Sequence, residues 1–136
     1  MLRFALATLL CLAPAAAATL TIKVDNIDKR GGDLHVALYD QASWPNDDAE
    51  PIAGAIVPAI APETVVTLKD IKPGVYGVKT FQDINCNGKF DQNWIGLPLE
   101  PYGFSNDAKP TLFAPSFDRT KFTVKDGANA IVIHLQ

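Results

Sequence analysis

Apolar and polar residues alternate with a period of two along most of this chain. Leu20, Ile22 and Val24 alternate with Thr19, Thr21 and Lys23, and Leu34, Val36 and Leu38 alternate with His35 and Ala37. Successive side chains of a strand point to opposite faces, so each run predicts a strand with one buried face. Asp28-Lys29-Arg30-Gly31-Gly32 lies between them and supplies turn glycines, which predicts a hairpin. Further strands are expected at 64–68, 75–81, 121–124 and 130–135, with turns at Pro73-Gly74 and Asp126-Gly127. No stretch carries a sustained helical stripe. Several short strands separated by turn signals predict an all-β sandwich, immunoglobulin-like or prealbumin-like.

Two segments break the period. Residues 41–62 hold Trp44 and four prolines (Pro45, Pro51, Pro58 and Pro62) and read as a long connection with a helical turn. Residues 83–116 are rich in Asn, Gly, Pro and aromatics, and are expected as one long insertion. Connections of that length inside a domain are usually functional or disordered, and Trp94, Tyr102, Phe104 and Phe113 argue for order.

The start of the chain follows a different pattern. Arg3, the apolar run 4–12, Pro14 and the small-residue run 15–18 are the three parts of a cleavable signal peptide, with the cut expected after Ala17 or Ala18. The apolar run is about half of the roughly 20 residues needed to span a bilayer. Cys11 follows Leu10 inside that run, which does not suit lipoprotein processing. The expectation is a periplasmic or secreted protein, not an integral membrane protein, with a leader over 1–18 and one sandwich domain over 19–136.

Charge narrows the partners. The chain has 12 Lys and Arg against 15 Asp and Glu, and loss of Arg3 with the leader takes the net charge to −4. The basic residues are scattered, which argues against nucleic acid as a partner and against electrostatic capture on an anionic membrane. Only Cys86 lies beyond the leader, so no disulfide can form within the domain.

One segment carries chemistry. Asp83, Asn85, Asn87 and Asp91 occupy positions one, three, five and nine of a loop with Gly88 at six and the Lys89 carbonyl at seven. A chain curling around a hard cation presents alternate oxygens inward, and this is the first part of a calcium loop of the EF-hand type. Trp94 stands at position twelve, where a bidentate glutamate belongs. Glu100 or Asp107 would have to fold back to complete the shell. The same residues also suit an ion-free turn closed by side-chain to backbone bonds, and both readings stand at this point. Cys86 is at position four, facing away from an ion. His35 and His134 sit in strand patterns and read as solvent-facing, and no nucleophile elbow, phosphate loop or His-metal cluster is present.

The run 71–78, then Phe81-Gln82-Asp83, Asn85, Asn87-Gly88-Lys89 and Asp91, then Gly96-Leu97-Pro98, Glu100 and Tyr102-Gly103-Phe104-Ser105-Asn106, resembles the secreted bacterial family catalogued as domain of unknown function 2141. The resemblance covers essentially the whole domain and implies an exported β-sandwich with no established activity. Gln82 stands where that family has histidine, so no metal or acid–base role carries over to that position.

Together these readings predict a non-catalytic binding module, calcium-stabilised through the loop 83–91, with Trp94, Glu100, Tyr102, Phe104, Ser105 and Asn106 presented to a glycan or a protein. The competing reading is a metal-dependent hydrolase using Asp83, Asp91 and Glu100. A hydrolase needs a base beside an open metal position, and Gln82 weakens it.

Overall fold

The computed structural model describes residues 17–136, and the expected leader, apart from Ala17 and Ala18, lies outside them. Among the described residues, eight strands make two facing sheets. They are β1 (Ala18–Asp25), β2 (Asp33–Tyr39), β3 (Ala53–Pro58), β4 (Glu63–Ile71), β5 (Gly74–Asp83), β6 (Tyr102–Phe104), β7 (Phe122–Val124) and β8 (Ala128–His134). One sheet runs β4-β1-β8 and the other β3-β2-β5-β6, with β7 also paired to β5. β1 is antiparallel to β4 and parallel to β8. This is the predicted all-β sandwich.

Alternation in the sequence becomes the core directly. Leu20, Ile22 and Val24 of β1 face Leu34, Val36 and Leu38 of β2 across the sandwich, joined by Val66, Leu68, Val78, Val124 and Ile133. Asp70 adopts a left-handed backbone (φ 57°) where the β1–β4 register shifts, so Ile71 still points inward after the irregularity.

The expected hairpin between β1 and β2 does not form. Both edges of β1 are taken by β4 and β8, and β2 pairs with β3 and β5. The connection 26–32 instead carries the chain from one sheet to the other, burying Ile27 at the end of the core. Two strands with the same inward stripe bury more by facing each other than by lying side by side. Gln82, fully buried, locks the connection: its Nε2 donates to the Asp28 and Gly31 carbonyls at 2.9 and 2.7 Å, and its Oε1 accepts from Asp28 N–H at 2.8 Å. Gly32 is required here, because a Cβ would lie 2.2 Å from the Asp83 carbonyl oxygen.

The connection 41–62 contains β3 as well as the anticipated helical turn, where Trp44 N–H reaches the Asp40 carbonyl at 3.0 Å. The insertion 83–116 contributes β6 and a 3₁₀ turn (Ser105–Asp107), and one helical turn, α1 (Phe117–Thr120), follows it. Among the described residues no helix is long and apolar enough to cross a membrane.

Candidate functional site

Asp83 ends β5 on the outer face of its sheet, yet it is only 1% exposed because the following loop folds over it. Its Oδ1 accepts from Asn87 N–H (3.2 Å), and its Oδ2 accepts from Gly88 N–H (2.7 Å) and contacts His35 Nε2 (3.2 Å). Cys86 and Gly88 take positive φ (54° and 76°), which reverses the chain as the glycine at position six anticipates. Asn85 and Asn87 both turn their amides onto Asp91, with Nδ2 at 2.8 Å and at 2.9 and 3.0 Å from its carboxylate oxygens. These bonds from Asn87 and then Asn85 hold the Asp91 carboxyl below the ordinary carboxylate range.

Glu100 does fold back, but onto backbone: Oε2 accepts from Ile84 N–H at 2.7 Å and Oε1 from Asp91 N–H at 2.9 Å. It is buried and braces both ends of the loop. Asp107 does not join it. Its carboxylate pairs with His134, at 2.7 Å from Nδ1 and 2.8 Å from the backbone nitrogen. Among the described residues no group of three or more His, Cys, Asp or Glu side chains converges to hold a metal. Desolvation, then the Asp33 carboxylate, pushes the Cys86 thiol up, which keeps it away from a reactive thiolate.

Beside this loop the outer face of β2, β5 and β6 floors a groove of about 1330 Å³. His35 stacks on Phe81 (centroids 4.5 Å, 16° between planes), and the rings continue from Phe81 to Phe90 (5.4 Å), Tyr102 (5.8 Å) and Phe104 (6.0 Å). Edge-to-face packing at these separations stabilises a rigid aromatic surface. Lys79 closes one end, 4.8 Å above the Tyr39 and Trp44 rings, with Nζ donating to the Trp44 carbonyl at 3.0 Å. Ile95, Leu97 and Pro98 form one wall, and Leu112 and Phe113 another.

The model of the family described as "Uncharacterized protein conserved in bacteria (DUF2141)" matches residues 22–132. This chain belongs to that family. Nothing matches among curated proteins or among solved structures. The match spans the strands, the loop and the groove of this DUF2141 protein together.

The residues expected to meet a ligand divide into four groups. Tyr102 and Phe104 line the groove. Glu100 and Ser105 point into the fold, Ser105 Oγ accepting from Val78 N–H (2.9 Å) and donating to the Thr120 carbonyl (2.6 Å). Asn106 donates to the Arg119 and Lys121 carbonyls, away from the groove lining. Trp94 stands 95% exposed beside Ile95. His35 is half-buried in the groove, where the sequence pattern placed it facing solvent. The signal for His35, Lys79 and Phe81 was their shared parity, which becomes meaningful only once β2 is known to pair with β5.

Proposed function

We propose that this DUF2141 protein is an exported, non-catalytic binding module that takes a glycan chain along the aromatic groove, with the loop 83–91 holding calcium as a brace. The observation that supports it is the continuous run of rings from His35 and Phe81 through Phe90 and Tyr102 to Phe104, beside a loop with cation-loop spacing. The C–H faces of sugar rings stack on the negative faces of aromatic rings. Polar groups of His35 and Gln92 lie along the same lining and suit hydroxyl partners.

The loop residues suit calcium modestly. Asp91 already has the amides of Asn85 and Asn87 in reach, but their oxygens accept from Asn87 N–H (3.3 Å) and Lys89 N–H (2.9 Å), so binding an ion requires both amides to leave these donors. Two carboxylates and two amides are a sparse set, and Asp83 is largely committed to N–H donors, so a weak site is expected. The hydrolase reading gains no support, because both Glu100 oxygens hold backbone amides.

Affinity electrophoresis in gels containing soluble polysaccharides tests the groove. The expected result is retardation of the wild-type chain by at least one polymer and its loss in Tyr102→Ala; wild-type mobility unaffected by every polymer overturns the glycan reading. Calcium titration followed by melting tests the brace. Added calcium should raise the melting temperature over that in chelator and Asp91→Ala should abolish the increment, whereas coincident melts remove calcium from the account.

A further inference from the structure

Two loop tips flank the groove, and both expose large apolar side chains. Trp94 is 95% exposed, Leu112 90% and Phe113 81%, and Ile95, Leu97 and Leu99 are each more than half exposed. Exposed apolar groups gathered on one side of a domain mark an interaction surface. We propose that these tips insert into the interfacial layer of a phospholipid bilayer and dock the domain on it peripherally.

Three observations favour lipid over another occupant. The first is charge. Residues 92–99 and 110–116 carry no ionisable side chain, although the chain as a whole is acidic. The ionisable groups that flank the tips are of both signs, Asp91, Glu100 and Lys89 at the first and Asp107 and Lys109 at the second, so transfer of the uncharged apolar tips, and not headgroup attraction, drives the docking.

The second observation is backbone accounting. A segment entering a low-dielectric layer must satisfy its own N–H and C=O groups. Asn93 does this for part of the first tip: its Oδ1 accepts from Ile95 N–H (3.1 Å) and Leu97 N–H (2.9 Å), its N–H donates to the Leu97 carbonyl (2.8 Å), and its carbonyl accepts from Gly96 N–H (2.9 Å). Gly96 takes φ 83° to close the turn. Asn93 thus closes the first tip as a turn that carries its apolar side chains outside.

The third is residue type. An indole joins an apolar body to one polar N–H, the combination enriched where hydrocarbon meets water. Trp94, with Leu and Phe on the neighbouring tip, matches the apolar face of interfacial anchors. The dense polar bonding of the Asx loop holds the base of the first tip.

The test is co-sedimentation of the purified chain with vesicles of phosphatidylethanolamine and phosphatidylglycerol, alongside the triple variant Trp94→Ser, Leu112→Ser, Phe113→Ser. These side chains are exposed, so the variant should melt like wild type; if it does not, Trp94→Ser alone replaces it. The expected result is sedimentation of the wild type with a blue shift of Trp94 emission, weakened about tenfold or more in the variant. Absence of sedimentation overturns the proposal, as does equal sedimentation of both chains. A lipid-free, concentration-dependent dimer abolished by the variant, without vesicle binding, also overturns it and assigns the tips to a second copy. Trp94 lies outside the groove lining that holds Tyr102, so vesicle binding read in Trp94→Ser alone and glycan retardation read in Tyr102→Ala fail separately.

Discussion

Oδ2 of Asp83 lies 3.2 Å from Nε2 of His35 and 2.7 Å from the N–H of Gly88, so one buried carboxylate ties the floor of the groove to the loop beside it. The carboxylate ends one strand and the imidazole sits two positions along the neighbouring one, since His35 is paired with Phe81 in the β2–β5 register. Side chains on one face of adjacent strands meet in this diagonal way. The groove and the loop are thereby one mechanical unit.

Asp83→Ala strands the Asn87 and Gly88 amides together with the imidazole, and should cost about 3 kcal/mol of folding stability. His35→Ala leaves both amides paired and should cost about 1 kcal/mol. Urea denaturation of the two variants measures the difference. Equal losses would show that the loop amides find other partners.

Gln82 carries the join between the two sheets. Gln82→Ala removes three hydrogen bonds, leaves Asp28 N–H and two carbonyls without that partner, and opens a hole in a fully buried position. The expected loss is about 3–5 kcal/mol, read by the same denaturation. A loss under about 1 kcal/mol would mean that water replaces the amide.

Arg30 clamps Asp28 with Nε and Nη2 at 3.0 and 2.9 Å and its own N–H at 2.9 Å, which lowers the Asp28 carboxyl to about 2. A carboxyl depressed on folding stabilises the fold above its unfolded value near 3.9, and that contribution is lost as pH falls toward 2. Carbon-detected NMR titration should place the Asp28 midpoint near 2. In Arg30→Gln it should move up toward the ordinary carboxylate value. A midpoint that stays low in the variant would assign the shift to another cause.

Ala18 is fully buried and stands opposite Ile71 in the β1–β4 ladder. Cleavage after Ala18 would strip that contact, whereas cleavage after Ala17 keeps it. Intact mass of the protein from a periplasmic extract should therefore correspond to a chain beginning at Ala18. A chain beginning at Thr19, or one retaining Met1, would defeat this expectation.

Strand parity was legible because it is a local property. Leu20, Ile22 and Val24 announce their buried face by alternation alone, and no other element is needed to read it. The loop from Asp83 to Asp91 was legible for the same reason, since its spacing and its glycine are contained in nine consecutive residues. β3 and β6 were missed because Ala53–Pro58 buries no residue fully and leaves its largest side chain, Ile56, exposed, and because Tyr102–Phe104 is three residues long. Each of them is a strand because a longer neighbour, β2 or β5, offers its free edge.

By itself the sequence determined the fold class, the strands with two-residue periodicity and the local form of the Asx loop, since each follows from neighbours in the chain. Tertiary structure decided which strands share a sheet, and so sent β1 and β2 to opposite sides of the core. It decided that Glu100 braces the loop while Asp107, an equally plausible acid, pairs with His134 instead. It also placed His35 against Asp83 rather than in open solvent. Pairing across a sheet and contact across long sequence separations depend on how the whole core closes, and a hydrophobic stripe names a buried face without naming what covers it.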